Sequence, residues 1–271
     1  MFAILRRVTA DSIVWRLIID GDLRGARNMA RDMAILEAVS AGESPPTLRL
    51  YGWAPPCLTL GRHQGPEAAD FDFCLAEGID IVRRPTGGRA LLHHLELTYA
   101  VAAPLGKGPL PRGLQDAYRR ICGALVRAVQ ALGVDAEITG GDVNLQLPGP
   151  QSTVPCFEAP AGGEVVVRGR KLIGSAMRAH GSAILQHGAI LIDWDGRLQA
   201  GSMGLPDDSS LRPRITTIRD ELGRDLERSK LEQTLVKVIA ENLGIGFQPD
   251  RPSDAERSRE QQLIASFTIT G

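Results

Sequence analysis

Residues 83–101, RRPTGGRALLHHLELTYAV, are the stretch that says most about the fold and the site of this chain. Two arginines and a Thr-Gly-Gly turn precede a third arginine, two adjacent histidines and an apolar strand. Glycines let backbone N–H groups approach a ligand closely, and flanking arginines suit a phosphate, a carboxylate or an acidic protein surface. An isolated Thr-Gly-Gly is more often a hairpin turn with solvated arginines. The stretch therefore predicts a binding loop without naming its ligand.

The composition is that of an ordinary globular protein with no bias toward polyanions. The chain has 271 residues, 43% of them hydrophobic, and 31 basic residues nearly balance 32 acidic ones, for a net charge of -1. Such a charge creates no long-range field that would gather nucleic acid. No apolar stretch reaches the ~20 residues that cross a bilayer, and the start lacks a signal cleavage site. We expect a cytoplasmic protein that binds neither nucleic acid nor membrane.

The four cysteines lie too far apart to suggest a zinc site or a disulfide framework. Cys122 falls in the apolar stripe of a predicted helix, and Cys57 and Cys74 are also interpreted as small apolar fillers. Cys156 lies in the Gly- and Pro-rich segment 139–165, a long connection of the kind that is usually functional or disordered. It is a candidate nucleophile, although a buried filler is an equal alternative. The thiolate form would require a cationic neighbour.

Lys171 is the candidate for that cation. Only four of the 31 basic residues are lysines, so a lysine in the middle of RGRKLIGSA indicates a specific task, the alternative being a solvent-facing strand residue. A cysteine and a lysine together suit attack on a thioester and passage of the acyl group to an amine. His187, among apolar strand residues, is interpreted as a satisfied structural histidine. No P-loop, dinucleotide fingerprint or Ser-His-Asp triad can be located.

Apolar spacing predicts three longer helices. The first ends at Gly42, the second runs over 115–133, and the third begins with a capping box of Ser229 and Glu232 and ends at Gly244.

Strands are predicted on both sides of the glycine turn. TLRLYGW and CLTL flank a Pro-Pro turn, IDIVRRP precedes the glycines, and LELTYAVAAP follows as a half-buried strand. Residues 164–193 predict a meander of three strands punctuated by glycine.

These motifs resemble the biotin/lipoate protein ligase superfamily. YGWAPPCLTLGRHQ, the glycine loop, GRKLIGSA and QHGAILI occur in the order of that family. VPCFEAPAGGEVVVRGRKLIGSA resembles the Bacillus-type, cysteine-dependent octanoyl-[acyl carrier protein]:protein N-octanoyltransferases. ATP-dependent lipoate ligases usually carry an Arg-Asn-Asp segment in place of the cysteine loop, and this difference favours a transferase.

The resemblance implies an α+β fold, with a mixed β-sheet, packed helices and a smaller second sheet. It implies a catalytic domain over residues 12–248 and a C-terminal tail over 249–271, in which Ser253 and Glu256 are the predicted cap of a short helix.

It also implies the site. Cys156 would carry the acyl thioester, and Lys171 would lower its pKa. The substrate would be held by Arg84, Thr86, Gly87, Gly88, Arg89, His93, Ser175, Ala176, His187 and Gly188. Octanoyl-acyl carrier protein would be the donor and a lipoyl-domain protein the acceptor, such as the glycine cleavage H protein or a 2-oxoacid dehydrogenase acyltransferase subunit, with no cofactor or metal.

Three alternatives stay open: an ATP-dependent lipoate or octanoate ligase, a non-catalytic relative that only binds acylated partners, and an amidotransferase between lipoyl domains. A basic rim for an acidic carrier is a further hypothesis. Its members would be Arg83, Arg84, Arg89, Arg168, Arg170 and Arg178.

Overall fold

Two β-sheets organise the part of the chain that the computed structural model describes, residues 13–140 and 163–269. The strands are β1 (Ile13–Leu23), β2 (Thr47–Trp53), β3 (Cys57–Leu60), β4 (Asp80–Arg83), β5 (Leu91–His93), β6 (Glu96–Pro104), β7 (Glu137–Ile138), β8 (Val165–Val167), β9 (Arg170–His180), β10 (Ala183–Leu191) and β11 (Ile245–Pro249). The α-helices are α1 (Gly25–Ala41), α2 (Phe71–Ala76), α3 (Leu114–Gln130), α4 (Gly196–Ser202), α5 (Ile218–Leu222), α6 (Arg228–Leu243) and α7 (Asp254–Phe267).

The larger sheet has the order β11-β1-β2-β6-β10-β9-β8-β7, and the smaller one has the order β4-β3-β5. β1 pairs in parallel with β2 and β11, whereas β2, β6, β10, β9 and β8 pair antiparallel in turn. The sheet is therefore mixed, and the predicted α+β class with a second, smaller sheet is confirmed.

The two strands around the Pro-Pro turn are present, but they belong to different sheets. β2 lies between β1 and β6 in the larger sheet, while β3 is the central strand of the smaller one. Residues 54–56 thus carry the chain from one sheet to the other. This crossing leaves a space between the sheets, with β2 and β3 on its two sides.

The prediction of a half-buried strand at LELTYAVAAP is wrong. Leu97, Tyr99 and Val101 face the core formed with α3 and α6, and Ala100 and Ala102 pack into a second core with α1. β6 is covered on both faces because it is a central strand with helices on either side. The small side chains of Ala100 and Ala102 let α1 approach the sheet. The alternation of apolar residues along the strand does not show that a helix covers this second face.

The predicted helices are present, with corrections at two termini: α3 ends at Gln130 rather than at Gly133, and the start of α6 differs from its predicted cap. α1 ends at Gly42 and α6 at Gly244, both with positive φ, which suits a glycine C-cap. The capping box at Ser229 is wrong, since α6 already begins at Arg228. Nε of Arg228 donates to Glu232 at 2.9 Å, so Glu232 forms an i,i+4 ion pair with Arg228 instead of a capping box.

The C-terminal helix α7 packs along α1, and Ser253 and Glu256 form the predicted capping box. Glu256 and Glu260 are nevertheless buried, where they accept hydrogen bonds from Arg16 and Arg31. In residues 13–140 and 163–269 no helix is long and apolar enough to span a membrane.

Candidate active site

A pocket lies between the two sheets and holds about 590 Å³ of empty space, part of it open to solvent. Four neighbouring strands of the larger sheet line it, β2, β6, β10 and β9, and the glycine loop covers it. Neighbouring strands lie about 4.8 Å apart, so the distance from β2 to β9 is roughly 14 Å. That length accommodates an extended eight-carbon chain.

Lys171 lies on β9, next to Gly174 at the β9 end of the pocket. A Cβ built on Gly174, which lines the pocket, would lie 3.1 Å from Cε of Lys171 and 3.6 Å from its Nζ. The ammonium forms a buried ion pair with Glu164. A carboxylate in contact with an amine stabilises the ammonium form, so Lys171 is a buried positive charge beside Gly174.

Thr139 fixes the backbone on both sides of the segment that contains Cys156. Its N–H donates to the Glu164 carbonyl at 2.8 Å, and its Oγ1 accepts from the Glu164 N–H at 2.9 Å. The Gly163 N–H donates to the Thr139 carbonyl at 3.1 Å. Cys156 itself lies outside the described residues, but the described chain flanking its segment is joined next to Lys171.

The β2 end of the pocket is closed by a stacked pair of rings. The ring centroids of Trp53 and His93 lie 4.1 Å apart with an interplanar angle of 19°. Nε1 of Trp53 donates to Oγ1 of Thr98 at 2.7 Å, and both Thr98 and Nδ1 of His93 donate to Oε1 of Glu96, each at 2.6 Å. His93 therefore lines the pocket with its orientation set by Glu96, and its predicted role in substrate binding stays a prediction.

Arg84 shapes the glycine loop from inside. Its guanidinium donates to the carbonyl groups of Gly87 at 3.0 Å, of Arg89 at 2.7 Å and of Thr59 at 3.1 Å. Gly88 has a φ of 92° and lines the pocket, a conformation that requires glycine. The loop is thus held by the side chain of its own arginine.

His187 touches both the loop and helix α1. Its Nε2 lies 2.7 Å from Oγ1 of Thr86, and its Nδ1 lies 3.1 Å from Oδ2 of Asp32. Burial lowers the pKa of His187, although Asp32 opposes this shift. Burial raises the pKa of Asp32, but the Arg49 charge and the histidine outweigh it, and the net pKa is lowered. A neutral imidazole therefore faces an ionised carboxylate. The interpretation of His187 as a hydrogen-bonded histidine is confirmed, and the residue lines the pocket as well.

Ser175, Ala176 and Gly188 line the pocket along β9 and β10. The Ser175 hydroxyl is hydrogen-bonded to the Tyr99 hydroxyl at 2.7 Å, which turns it toward the core. A Cβ on Gly188 would lie 2.9 Å from Oγ of Ser175 and closer still to the Gly174 carbonyl oxygen, so only glycine fits there.

The three cysteines in the described ranges are buried fillers, as predicted. Cys57, Cys74 and Cys122 carry free thiols in the core. Burial raises the pKa of Cys57 well above its ordinary value and raises that of Cys74 and Cys122 to about 12. They remain protonated at neutral pH and are poor nucleophiles.

The predicted basic rim is wrong for Arg84, which is buried. Arg168 and Arg170 both pair with Glu221, whose single carboxylate compensates only one of their two charges. Arg178 remains beside the loop, where it donates to the Pro85 carbonyl at 3.3 Å.

The sequence did not single out Asp32 or Glu164. Asp32 was one polar residue within an apolar helical pattern, a signal too common to interpret. Glu164 follows the cysteine segment directly, and its spacing of seven residues from Lys171 across a hairpin was the one available signal. Within the described ranges no group of three His, Cys, Asp or Glu side chains could hold a metal ion.

Residues 24–240 match the model of the lipoyl protein ligase A/B catalytic domain. The chain belongs to this family. The octanoyltransferase LipM of Kyrpidia tusciae is 39% identical over 264 residues, which cover 93% of this chain and 96% of the relative. The octanoyltransferase LipM of Symbiobacterium thermophilum is 37% identical, covering 92% and 94%. The predicted superfamily and its octanoyltransferase branch are confirmed, and with them the prediction of an acyltransferase of lipoate biosynthesis.

Solved structures of lipoate ligases share the fold. A lipoate-protein ligase A bound with ATP superposes with a TM-score of 0.75 at 24% identity, covering 92% of this chain and 94% of its own. A putative lipoate protein ligase from Thermoplasma acidophilum with bound lipoic acid gives a TM-score of 0.73 at 22% identity, covering 93% and 95%. At these identities the similarity concerns the fold alone.

Proposed function

We propose that this lipoyl protein ligase A/B family member moves an octanoyl group from octanoyl-acyl carrier protein to a lysine of a lipoyl domain, through a thioester on Cys156. The observation that carries the proposal is the pocket between the sheets, long enough for an eight-carbon chain, with the Lys171 ammonium close to Gly174, one of the residues that line it. The activity of the LipM relatives supports the octanoyl group as substrate.

In the first step the Cys156 thiolate attacks the donor thioester. A new S–C bond forms on Cys156, the S–C bond of the donor breaks, and the carrier leaves as a thiol after taking up a proton. Lys171 supports this step because its ammonium stabilises a nearby thiolate and the oxyanion that develops on the carbonyl. Glu164 holds the ammonium in place.

In the second step the acceptor lysine attacks as a free amine. An amide N–C bond forms, the Cys156 S–C bond breaks, and the proton lost by the nitrogen restores the thiol. Thioester exchange is nearly balanced in energy, and amide formation draws the reaction forward without ATP. The protein contributes by positioning the two partners and excluding water from the acyl chain.

The proposed partners are an acidic carrier protein and a lipoyl domain such as that of the glycine cleavage H protein or of a 2-oxoacid dehydrogenase acyltransferase subunit, in the cytoplasm. Arg178 and the exposed Arg62 support carrier docking beside the glycine loop. Burial and the nearby Arg62 charge lower the pKa of Arg178, and Glu37 opposes this shift only in part, so two like charges lie close together there. An acidic partner would relieve this repulsion.

The test is intact-protein mass spectrometry after mixing the enzyme with octanoyl-acyl carrier protein in the absence of ATP. A hydroxylamine-labile octanoyl adduct should form on the wild type, be absent from Cys156→Ala, and pass to an added lipoyl domain. Cys122→Ala is the matched control, since it removes a buried thiol, and it should still form the adduct.

Two other outcomes identify the alternatives. Acceptor modification that needs ATP and free octanoate, and survives Cys156→Ala, would establish a ligase. Transfer from an octanoylated lipoyl domain but not from the carrier would establish an amidotransferase.

A further inference from the structure

A chain of three buried side chains connects helix α1 to the glycine loop, and its middle member, His187, lines the pocket. Asp32, His187 and Thr86 come from α1, from β10 and from the loop, and each is at most 5% exposed. Two contacts join them, Asp32 Oδ2 to His187 Nδ1 at 3.1 Å and His187 Nε2 to Thr86 Oγ1 at 2.7 Å.

The chemistry of these groups decides which atom donates. An ionised carboxylate only accepts hydrogen bonds, so Nδ1 of His187 must carry the proton that faces Asp32. Nε2 of the neutral imidazole is then an acceptor, and the Thr86 hydroxyl must donate to it. Asp32 thereby selects the tautomer that can accept a hydrogen bond from Thr86.

Asp32 is itself held from two other sides. NH1 of Arg49 donates to its Oδ1 at 2.6 Å, and the Tyr51 hydroxyl donates to its Oδ2 at 2.8 Å. Arg49 in turn donates to Asp20 through Nε at 2.7 Å. The carboxylate cannot rotate away from His187 without breaking these bonds, so its orientation is strongly fixed.

Thr86 connects the fixed orientation of Asp32 and His187 to the part of the glycine loop that lines the pocket. It immediately precedes Gly87 and Gly88, and Gly88 lines the pocket. The Thr86 carbonyl accepts from the Arg62 N–H at 2.9 Å, which secures the residue to the chain that follows β3. The hydroxyl bond to His187 secures the same residue to the larger sheet. The turn is thus held on both sides of the acyl pocket.

We propose that Asp32 and His187 are positioning residues, which act through the Thr86 hydroxyl to hold the Gly87-Gly88 turn at the distance from β10 that an acyl chain requires. The inference rests on the proposed function only for the identity of the acyl group. It assigns Asp32 a role in substrate binding although it need not contact the substrate.

The experiment compares Thr86→Val with Thr86→Ser, using octanoyl-pantetheine as donor and a lipoyl domain as acceptor. Valine keeps the shape of threonine but leaves His187 Nε2 without a donor, so KM for the donor should rise about tenfold, equivalent to roughly 1.4 kcal/mol, with kcat within about twofold. Serine keeps the hydroxyl and should restore KM to within about twofold of the wild type. Equal KM values for valine, serine and wild type would overturn the proposal.

Thr47→Val is the matched structural control. The Thr47 hydroxyl is also buried and hydrogen-bonded, accepting from Nε of Arg16 at 3.0 Å and donating to the Pro45 carbonyl at 2.9 Å, but it lies at the end of β2 far from Trp53. Its loss should lower the melting temperature and leave KM unchanged. A KM increase like that of Thr86→Val would show that the effect is general destabilisation.

A double-mutant cycle tests the contact itself. With His187→Phe as background, Thr86→Val should change KM by less than about twofold, because the hydrogen bond between the Thr86 hydroxyl and His187 is already lost. A full tenfold change in that background would show that this hydrogen bond does not cause the effect. Calorimetric binding of octanoyl-pantetheine to the same variants, each carrying Cys156→Ala, separates this inference from the proposed chemistry. If the proteins that retain Cys156 transfer no octanoate but the cycle appears in the dissociation constants, the positioning role stands and the proposed function fails.

Discussion

Replacing Trp53 with leucine should lengthen the acyl chain that the enzyme prefers. Trp53 is buried at the β2 end of the pocket, where its ring stacks on His93 and its indole N–H is held by Thr98. The far end of an acyl chain that starts at Lys171 would meet this ring. A leucine leaves space beyond that point, which additional methylene groups of the substrate can fill.

The size of the effect follows from the apolar surface that the longer chain buries. Each buried methylene contributes about 0.8 kcal/mol, so four extra carbons contribute at most about 3 kcal/mol, or roughly 200-fold in kcat/KM for dodecanoyl relative to octanoyl donors. Imperfect packing around the smaller side chain will reduce this, and we expect a tenfold to hundredfold shift. Octanoyl transfer itself should slow, since the shorter chain leaves a void.

The assay is a competition in which octanoyl and dodecanoyl donors at equal concentration acylate one lipoyl domain, and the product ratio is read by mass spectrometry. Trp15→Leu is the control, because Trp15 is equally buried but lies in the core formed with α3 and α6. It should lose stability without a change in the ratio. An unchanged ratio in Trp53→Leu, or the same change in both variants, would refute the placement of the acyl terminus at Trp53.

Three further predictions concern buried positions, the first two of them beside the pocket. Glu164→Gln removes the buried charge partner of Lys171, and it should lower the free energy of unfolding by roughly 3 kcal/mol and reduce kcat; unfolding in urea and acylation rates check this, and an unchanged kcat would contradict it. Gly188→Ala forces a Cβ against the backbone of Gly174, and should cost about 1–3 kcal/mol, visible as a lower melting temperature. Burial raises the pKa of Glu256, but hydrogen bonds and the charge of Arg16 lower it by more than burial raises it. The net pKa of Glu256 therefore lies below its ordinary value. This stabilisation is complete above about pH 4.3 and is lost as the pH falls through the folded-state pKa, which lies lower; urea unfolding at pH 7 and about pH 3 should show a smaller difference for Glu256→Gln than for the wild type.

Local features of the sequence predicted most of the secondary structure and part of the site. Periodic apolar residues located α1, α3 and α6, glycines marked the ends of α1 and α6, and the glycine-containing turns predicted the three-strand meander. The glycine loop and Lys171 could be identified because glycine and a rare lysine have few other uses at such positions. These signals depend on neighbours within a few residues, and such interactions are what backbone propensity and capping encode.

The tertiary structure decided what distant residues do to one another. Asp32 and His187 are 155 positions apart, and only the packing of α1 against β10 brings them to 3.1 Å. The sequence of β6 predicts a half-buried strand. In the structure both of its faces are buried, because helices cover both sides of the sheet. The sequence predicts that Arg84 binds a ligand, whereas its guanidinium donates to backbone carbonyls of its own loop. A sequence pattern specifies which face of an element is apolar, whereas the partner of a buried charge is set by where the elements converge, and that is a property of the whole fold.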